Sequence, residues 1–168
     1  MGYRSVRWLS GEGGSTNAGC FTEDAEHVSF DEDDLLVGAL GDLGGFIGPH
    51  GRRGAERGAR RLRKDVFEAD LVVSMSPQAA EDRARQVIGQ HGRVLNLEGI
   101  GVDSGTQVIG IVGSGIADLN PAVVTVTIHA AEEGSRLVIR GAAKEGLIKQ
   151  RAGEKAAKRL AAEMASTP

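Results

Sequence analysis

The sequence predicts an α+β fold: an antiparallel sheet in β-α-β4-α order with two helices on one face, preceded by a glycine-rich N-terminal arm of low intrinsic order. Two observations lead to this prediction. The first 64 residues contain 13 of the 25 glycines and little hydrophobic periodicity. From residue 65 onward, strand and helix patterns alternate with short turn signals. Residues 1–64 are therefore interpreted as a poorly or conditionally ordered arm, and residues 65–168 as one compact domain.

The arm has one periodic segment, residues 31–48, in which four acidic residues precede a helical stripe. The acids at 31–34 are suited to cap and charge a helix N-terminus. Gly38, Gly41, Gly44 and Gly45 interrupt the helical spacing, and each costs about 1 kcal/mol relative to alanine in a helix, so the helix is marginal by itself. The apolar stripe would consist of Leu35, Leu36, Ala39, Leu40 and Leu43.

The compact domain begins with a strand pattern at residues 66–75 and continues with a strongly punctuated helix. Ser76 is suited to the N-cap, Pro77 to the first helical position and Gly92 to the position after the last turn. The buried stripe of this helix would consist of Ala80, Ala84, Val87 and Ile88.

Four more strand patterns follow. The short turns at 101–105 and 133–135 predict that consecutive strands are antiparallel neighbours. In the third pattern, apolar residues alternate with Thr125, Thr127 and His129, which predicts one buried face and one semi-polar face. The four patterns cover residues 93–99, 106–115, 122–130 and 135–142.

A final helix is predicted at residues 147–164, with small residues on the buried arc and cations on the solvated arc. Glu154 and Lys158 are spaced for an i,i+4 ion pair, and so are Arg159 and Glu163. Lys144, Lys149 and Arg151 lie around the junction between the last strand and the final helix, and the helical pattern does not account for their charges. The candidate ligand-binding or partner-binding residues are therefore Lys144, Lys149, Arg151, Thr125, Thr127 and His129.

The order of elements resembles known folds. The segment LVVSMSPQAAEDRARQVI, followed by an antiparallel meander and a long final helix, resembles the TBP-like fold and a reduced helix-grip fold of START and polyketide-cyclase-like proteins. The resemblance covers residues 66–165, rests on topology, and implies a curved sheet that grips a helix. Helix-grip members usually have more strands and an aromatic-lined cavity, whereas Phe67 is the sole aromatic residue here. The resemblance implies a fold and no activity.

Motifs for common chemistries are missing from the sequence. The glycine-rich segments at 99–105 and 110–121 do not lie between a strand and a helix, as a phosphate-binding loop requires. The four histidines are dispersed, and the acids at 31–34 lack calcium-loop spacing, so no metal site is predicted. No nucleophile motif is present, and neither catalysis nor a cofactor is predicted.

Charge is strongly asymmetric within the arm. Residues 1–50 carry nine acids and two bases, a net charge of −7, whereas residues 51–64 carry seven bases and one acid, a net charge of +6. This asymmetry indicates that the two halves attract each other or a partner. The sequence contains no apolar run long enough for a membrane span, and its lone cysteine, Cys20, excludes an intramolecular disulfide, so we expect a cytoplasmic protein.

Three functions remain open. The favoured one is a non-enzymatic binding or interaction module whose sheet face or groove takes an apolar ligand or a protein segment, the arm being the nearest such segment. The second is an enzyme with a helix-grip cavity. The third is nucleic-acid or phosphate binding, whose affinity would depend strongly on salt. Its residues would be Arg52, Arg53, Arg57, Arg60, Arg61, Arg63, Lys64 and Lys155.

Overall fold

The computed structural model describes residues 7–9, 31–46, 48–96, 105–114, 119–146 and 149–166. These residues form six strands and four helices. The strands are β1 (Arg7–Leu9), β2 (Arg63–Val73), β3 (Gly92–Leu95), β4 (Thr106–Ser114), β5 (Asn120–Ala131) and β6 (Gly134–Glu145). The helices are α1 (Glu32–Gly45), α2 (Pro49–Ala59), α3 (Pro77–His91) and α4 (Ala152–Ala165).

The strands form one antiparallel sheet in the order β1-β2-β6-β5-β4-β3. Its body consists of the five strands β2 to β6, and the three-residue β1 extends it beyond β2. The predicted α+β class and β-α-β4-α order are therefore confirmed. Helix α3 connects β2, near one edge, to β3 at the other edge, and tight connections join β5 to β6.

Helices α3 and α4 pack on one face of the sheet, which we call the first face. The predicted stripe of α3 is buried there, and the side chain of Ser76 accepts a hydrogen bond from the amide of Ala79, as expected for an N-cap. The small residues of α4 let its backbone lie directly on β6, because a Cβ on Gly141 would overlap the carbonyl oxygen of Gly153. The buried residues of α4 are Ala152, Gly153, Ala156, Ala157, Leu160, Ala161 and Met164.

Helix α1 packs on the opposite face, which we call the second face, and α2 packs on α1. A helix forms within the predicted segment 31–48: Asp31 is its N-cap and accepts hydrogen bonds from the amides of Asp33 and Asp34 at 2.9 and 3.4 Å. Its buried residues are Leu36, Val37 and Gly41, so only Leu36 of the predicted stripe is buried. Helix α2 was not predicted from its glycine-interrupted sequence. It forms against α1, where Gly44 brings the α1 backbone close to Ala55 and Gly51.

Several predicted boundaries differ from the structure. Strand β2 begins at Arg63 rather than at residue 66 and ends at Val73 rather than at residue 75, and β3 ends at Leu95 rather than at residue 99. Helix α4 begins at Ala152 rather than at residue 147, and β6 continues to Glu145, three residues beyond its predicted end. Strand β6 is longer because β2 pairs with it along its whole length, from Arg63 opposite Glu145 to Val73 opposite Ser135. This long-range pairing leaves no local sequence signal.

Some predictions lie outside the described residues. They concern residues 1–6 and 10–30 of the arm, including Cys20, and the glycine-rich turns at 101–104 and at 115. The division into an arm and a compact domain stays a prediction, although α1 of the predicted arm packs on the sheet of the predicted domain. In the part of the chain that the structure describes, no helix is long and apolar enough to cross a membrane.

Candidate functional site

Three cations lie close together on the second face, where α1 begins. Lys64 of β2 and Lys144 of β6 are direct register partners, and Arg140 precedes Lys144 by four residues on the same strand. Alternate residues of a strand share a face, so all three side chains project toward α1. We call Lys64, Arg140 and Lys144 the cation row.

The first turn of α1 supplies the opposite charges. Glu32 lies 3.1 Å from the Nζ atom of Lys64 and 3.1 Å from the Nε atom of Arg140. The Oδ1 atom of Asp33 lies 2.6 Å from the Nζ atom of Lys144. The acids that cap and charge the N-terminus of α1 therefore also anchor the helix to the sheet.

In the Lys144–Asp33 ion pair, Lys144 is the more deeply buried residue. Only 4% of its side chain is exposed, against 40% of the Asp33 side chain. Its ammonium also lies 3.5 Å from the carbonyl oxygen of Leu62, which precedes β2. The free energy of removing an ion from water is roughly several kcal/mol, and it is offset only when an opposite charge and hydrogen bonds replace the water. The buried ammonium of Lys144 therefore depends on Asp33 of the docked helix.

Glu32 and Arg140 form the second anchor. The Glu32 side chain is 11% exposed and accepts two hydrogen bonds from the Arg140 guanidinium, at 3.1 and 3.3 Å. A third hydrogen bond joins Arg140 to Glu68 of β2 at 2.8 Å. Burial lowers the pKa of Arg140, but the hydrogen bonds to both carboxylates outweigh it and leave the pKa raised. The guanidinium therefore stays charged and bridges α1 to β2.

An apolar patch lies next to the cation row. Leu36 of α1 is fully buried against Ile109 of β4, Val123 of β5 and Ala142 of β6. Burial of a leucine side chain contributes about 1.5–3 kcal/mol, so this contact adds to the ion pairs. We call the cation row together with Ile109, Val123 and Ala142 the helix seat.

Exposed ion pairs join α1, from the acidic segment of the predicted arm, to residues of the basic segment. Asp42 of α1 pairs with Arg52 of α2 at 3.3 Å, and Asp34 pairs with Arg60 at 3.4 Å. Each of these four side chains is more than half exposed, so each pair contributes about 0–1 kcal/mol. The acidic and basic segments therefore meet within the chain.

The polar residues predicted on β5 do lie on the second face. Thr125 is buried opposite Arg140, beside the cation row. Thr127 lies two residues further along β5, and its hydroxyl accepts a hydrogen bond from the side-chain amide of Gln107 at 3.2 Å. His129 lies opposite Arg136, at the end of the sheet away from the cation row. Thr125 thus adjoins the helix seat, whereas Thr127 and His129 extend beyond it.

The structure does not bring the three predicted junction cations together. Lys144 projects from the second face, whereas α4 packs on the first face. Arg151 is the N-cap of α4, with a left-handed backbone at φ 51°, and its exposed side chain pairs with Glu154 at 3.4 Å. Lys149 is exposed in the segment that precedes the helix.

Sequence reasoning missed the carboxylates at this junction. The buried side chain of Glu145 accepts hydrogen bonds from the amides of Gln150 and Ala152, at 2.5 and 2.8 Å. Burial raises the pKa of the neighbouring Asp65, and the charge of Glu145 raises it further. The amides at the start of α4 are thus used by the chain's own carboxylate, which argues against phosphate binding there.

The predicted basic residues divide into two groups. Arg52, Arg60 and Lys64 form ion pairs with acids of α1 or α2. The exposed side chains of Arg53, Arg57, Arg61 and Arg63 form no ion pair within the described part of the chain. Lys155 is exposed on α4, across the sheet from α2. Lys155 therefore does not belong to the same surface as the arginines of the arm.

No protein-family model matches the chain, and no curated protein matches it. The α+β class and the antiparallel sheet therefore rest on the structure itself.

Proposed function

We propose that this chain is a non-enzymatic interaction module of the TBP-like or reduced helix-grip kind, and that its helix seat binds an amphipathic helix with acidic residues in the first turn. Helix α1 is the resident occupant, and a partner helix with the same pattern would exchange with it. Helix-in-groove recognition of this kind uses apolar anchors one turn apart, and the cation row adds selection for a helix whose N-terminus carries carboxylates.

The observation that carries this proposal is the burial of Lys144 beneath α1. A surface that buries an ammonium is suited to a partner that brings a carboxylate and unsuited to a purely apolar one. Asp33 lies 2.6 Å from that ammonium, and Glu32 satisfies the other two cations of the row. The charge pattern of the seat thus specifies both the polarity and the position of the helix that fills it.

The composition of α1 supports exchange. Gly38 and Gly45 lie in the helix, although a Cβ at Gly38 would meet nothing within 4 Å and one at Gly45 would make only an ordinary contact. Glycine in a helix costs about 1 kcal/mol relative to alanine, so α1 is weakened at positions where packing does not require it. A partner helix with higher helix propensity would compete with α1 for the seat.

An enzyme cavity and an apolar small-molecule ligand have less support. The direct contact of Gly141 with Gly153 leaves no space between α4 and β6 for a helix-grip cavity at that point. The second face beyond the helix seat is mixed: it carries the polar residues Gln107, Thr127 and His129 and also the half-exposed Val72. Both observations favour a protein segment over a small apolar molecule.

Exchange of a labelled peptide tests the proposal. A fluorescent peptide with the sequence of residues 31–46 is titrated with the wild-type chain and with its Leu36→Ala variant, and binding is followed by anisotropy. A tethered occupant competes at an effective concentration of about 1 mM or more, so the peptide should bind the wild type weakly. Leu36→Ala weakens the resident helix, and we expect affinity for the peptide to rise about tenfold or more.

Two controls assign this binding to the seat. A peptide carrying Glu32→Gln and Asp33→Asn has the same apolar residues and should lose most of the affinity. Adding Lys144→Met to the Leu36→Ala chain should reduce affinity for the original peptide. Equal binding of the acidic and neutral peptides, or no binding to the Leu36→Ala chain, would show that the seat does not select such a helix.

A further inference from the structure

The outer surface of α2 carries a row of arginines that the fold does not use. Arg53, Arg57 and Arg61 follow one another at intervals of four residues, so they lie on one side of the helix and of the turn that ends it. The opposite side of α2, which includes the buried Ala59, packs on α1. All three arginine side chains are exposed. We call Arg53, Arg57 and Arg61 the arginine stripe.

The carboxylates near α2 are engaged on its inner side. Asp42 and Glu56 pair with Arg52 at 3.3 and 2.9 Å, and Asp34 pairs with Arg60 at 3.4 Å. In the described part of the chain, no carboxylate forms an ion pair with the arginine stripe. Like charges four residues apart destabilise a helix, so the stripe opposes formation of α2 and contributes nothing visible to its packing.

Two glycines adjoin the stripe without a packing reason. A Cβ on Gly54 or on Gly58 would meet nothing within 4 Å. Each glycine lowers the helix propensity of α2, and repulsion between the like charges of the stripe destabilises the helix further. Because these glycines have no side chains, an extended ligand that contacts the arginines can approach the helix backbone closely.

We propose that the arginine stripe binds the phosphate backbone of double-stranded nucleic acid without sequence selection. From Arg53 to its end at Ala59 the helix rises about 9 Å, over which one strand of a duplex presents roughly two or three phosphates along its axis, and Arg61 follows in the next turn. Guanidinium groups suit phosphates because they bind them in a bidentate manner. This inference is independent of the helix seat, which lies on the inner side of α1.

The composition of α2 favours a duplex over other polyanions. The helix contains no phenylalanine, tyrosine or tryptophan on which unpaired bases would stack, as proteins that bind single strands use. Its only apolar side chains besides Pro49 are alanines, so it lacks the large residues with which an amphipathic helix enters a membrane surface. The stripe therefore offers charge alone, which is what a regular phosphate backbone requires.

Salt-dependent binding of a duplex tests the inference. The full chain is titrated into a short, labelled DNA duplex of mixed sequence at several salt concentrations from about 30 mM upward. Three phosphate contacts predict a slope of about −2.7 for the logarithm of the association constant against the logarithm of salt concentration. The Arg53→Gln/Arg57→Gln/Arg61→Gln variant should lose at least about tenfold in affinity and most of that slope.

A control of equal charge separates the stripe from general electrostatics. The Arg85→Gln/Arg93→Gln/Lys155→Gln variant removes three exposed cations outside the arm and should retain the slope and the affinity. The stripe variant should keep the wild-type thermal midpoint or exceed it, because its like-charge repulsion is gone. Absence of wild-type binding near 30 mM salt, or equal losses in both variants, would overturn the inference. Tighter binding of the wild type to anionic lipid vesicles than to the duplex would overturn the assignment of the partner.

Discussion

Lys144 illustrates how the burial of one member of an ion pair decides what the pair contributes. Its side chain is nearly inaccessible to water, whereas the Asp33 side chain remains partly exposed. Loss of the carboxylate would leave a buried charge without its partner, but loss of the ammonium would leave a carboxylate that water can still reach. The two single substitutions are therefore not equivalent.

We predict that Asp33→Asn lowers the free energy of unfolding by about 1–3 kcal/mol, whereas Lys144→Met lowers it by less than about 1 kcal/mol. Urea denaturation of both variants measures the difference. Asp42→Asn is the matched control, since it removes a carboxylate from an exposed pair and should change stability by less than about 1 kcal/mol. A larger effect of Lys144→Met than of Asp33→Asn would contradict this account of the pair.

The carboxyl group of Asp65 ionises less readily in the folded protein than in the unfolded chain. Its Oδ2 atom is buried and accepts no hydrogen bond from any described residue. Burial raises the pKa of Asp65, and so does the charge of Glu145, while a hydrogen bond from the backbone amide of Glu154 partly opposes them. The ionised carboxylate is therefore less stable in the folded chain than in the unfolded chain.

We predict that Asp65→Asn increases stability at neutral pH. Because the folded pKa lies above the unfolded value of about 3.9, the contribution of Asp65 is most favourable below that pH and is lost as pH rises through the folded pKa. The side-chain amide of the variant cannot ionise. The variant should therefore be more stable than the wild type at pH values above the folded pKa of Asp65, and its stability should approach that of the wild type in acid. Urea midpoints measured from about pH 3 to 7 test this. A variant that loses stability equally at every pH would contradict it.

At the scale of elements, the glycines of the α1–α2 pair have different roles although the sequence presents them alike. A Cβ on Gly44 would lie 2.5 Å from the Cβ of Ala55 and 2.8 Å from the carbonyl oxygen of Gly51, so glycine is needed for the helices to approach. A Cβ on Gly38 would meet nothing within 4 Å. Only the packing of α2 on α1 distinguishes these two positions.

We predict opposite effects of alanine at these two positions. Gly38→Ala should stabilise the protein by about 1 kcal/mol through helix propensity alone. Gly44→Ala should destabilise it by about 1–3 kcal/mol, because the added methyl group forces α1 and α2 apart. Thermal denaturation of the two variants, which differ from wild type by the same chemical change, measures both effects. If Gly44→Ala proved neutral, the close helix approach would not exist in solution.

At the scale of the whole molecule, the two faces of the sheet are covered in different ways. The first face is buried by α3 and α4 over a large apolar cluster, whereas α1 contributes to a much smaller one and relies on ion pairs as well. Elements that bury little apolar surface open at lower free energy than the core. Helices α1 and α2 should therefore open together before the sheet does.

Hydrogen exchange measured by mass spectrometry tests this order. We predict faster exchange in α1 and α2 than in β5 and β6, and we expect Leu36→Ala to lower protection of α1 by about 2–4 kcal/mol with little change in α3. If α1, α3 and β5 lost protection together in that variant, the molecule would unfold as one unit. Exchange of α1 with a partner helix requires that α1 opens while α3 and the sheet stay folded.

Much of the compact region follows from local pattern. The N-cap at Ser76, the stripe of α3 and the small-residue arc of α4 were predicted because each depends on residues within one helix. The positions of Lys144 and Glu145 were not, because the predicted strand ended at residue 142. The three additional residues of β6 place Lys144 on the second face and Glu145 on the first, since successive side chains of a strand alternate.

The sequence by itself determined the α+β class, the β-α-β4-α order from residue 65 onward and the buried faces of α3 and α4, because these features depend on spacing between near neighbours. It also indicated that the acidic and basic halves of the arm attract each other or a partner. Only the tertiary structure decided that α1 occupies the second face, that Asp33 meets Lys144 and that α2 forms at all. Those features depend on contacts between residues far apart in the chain, whose energies exist only once the sheet has fixed its register.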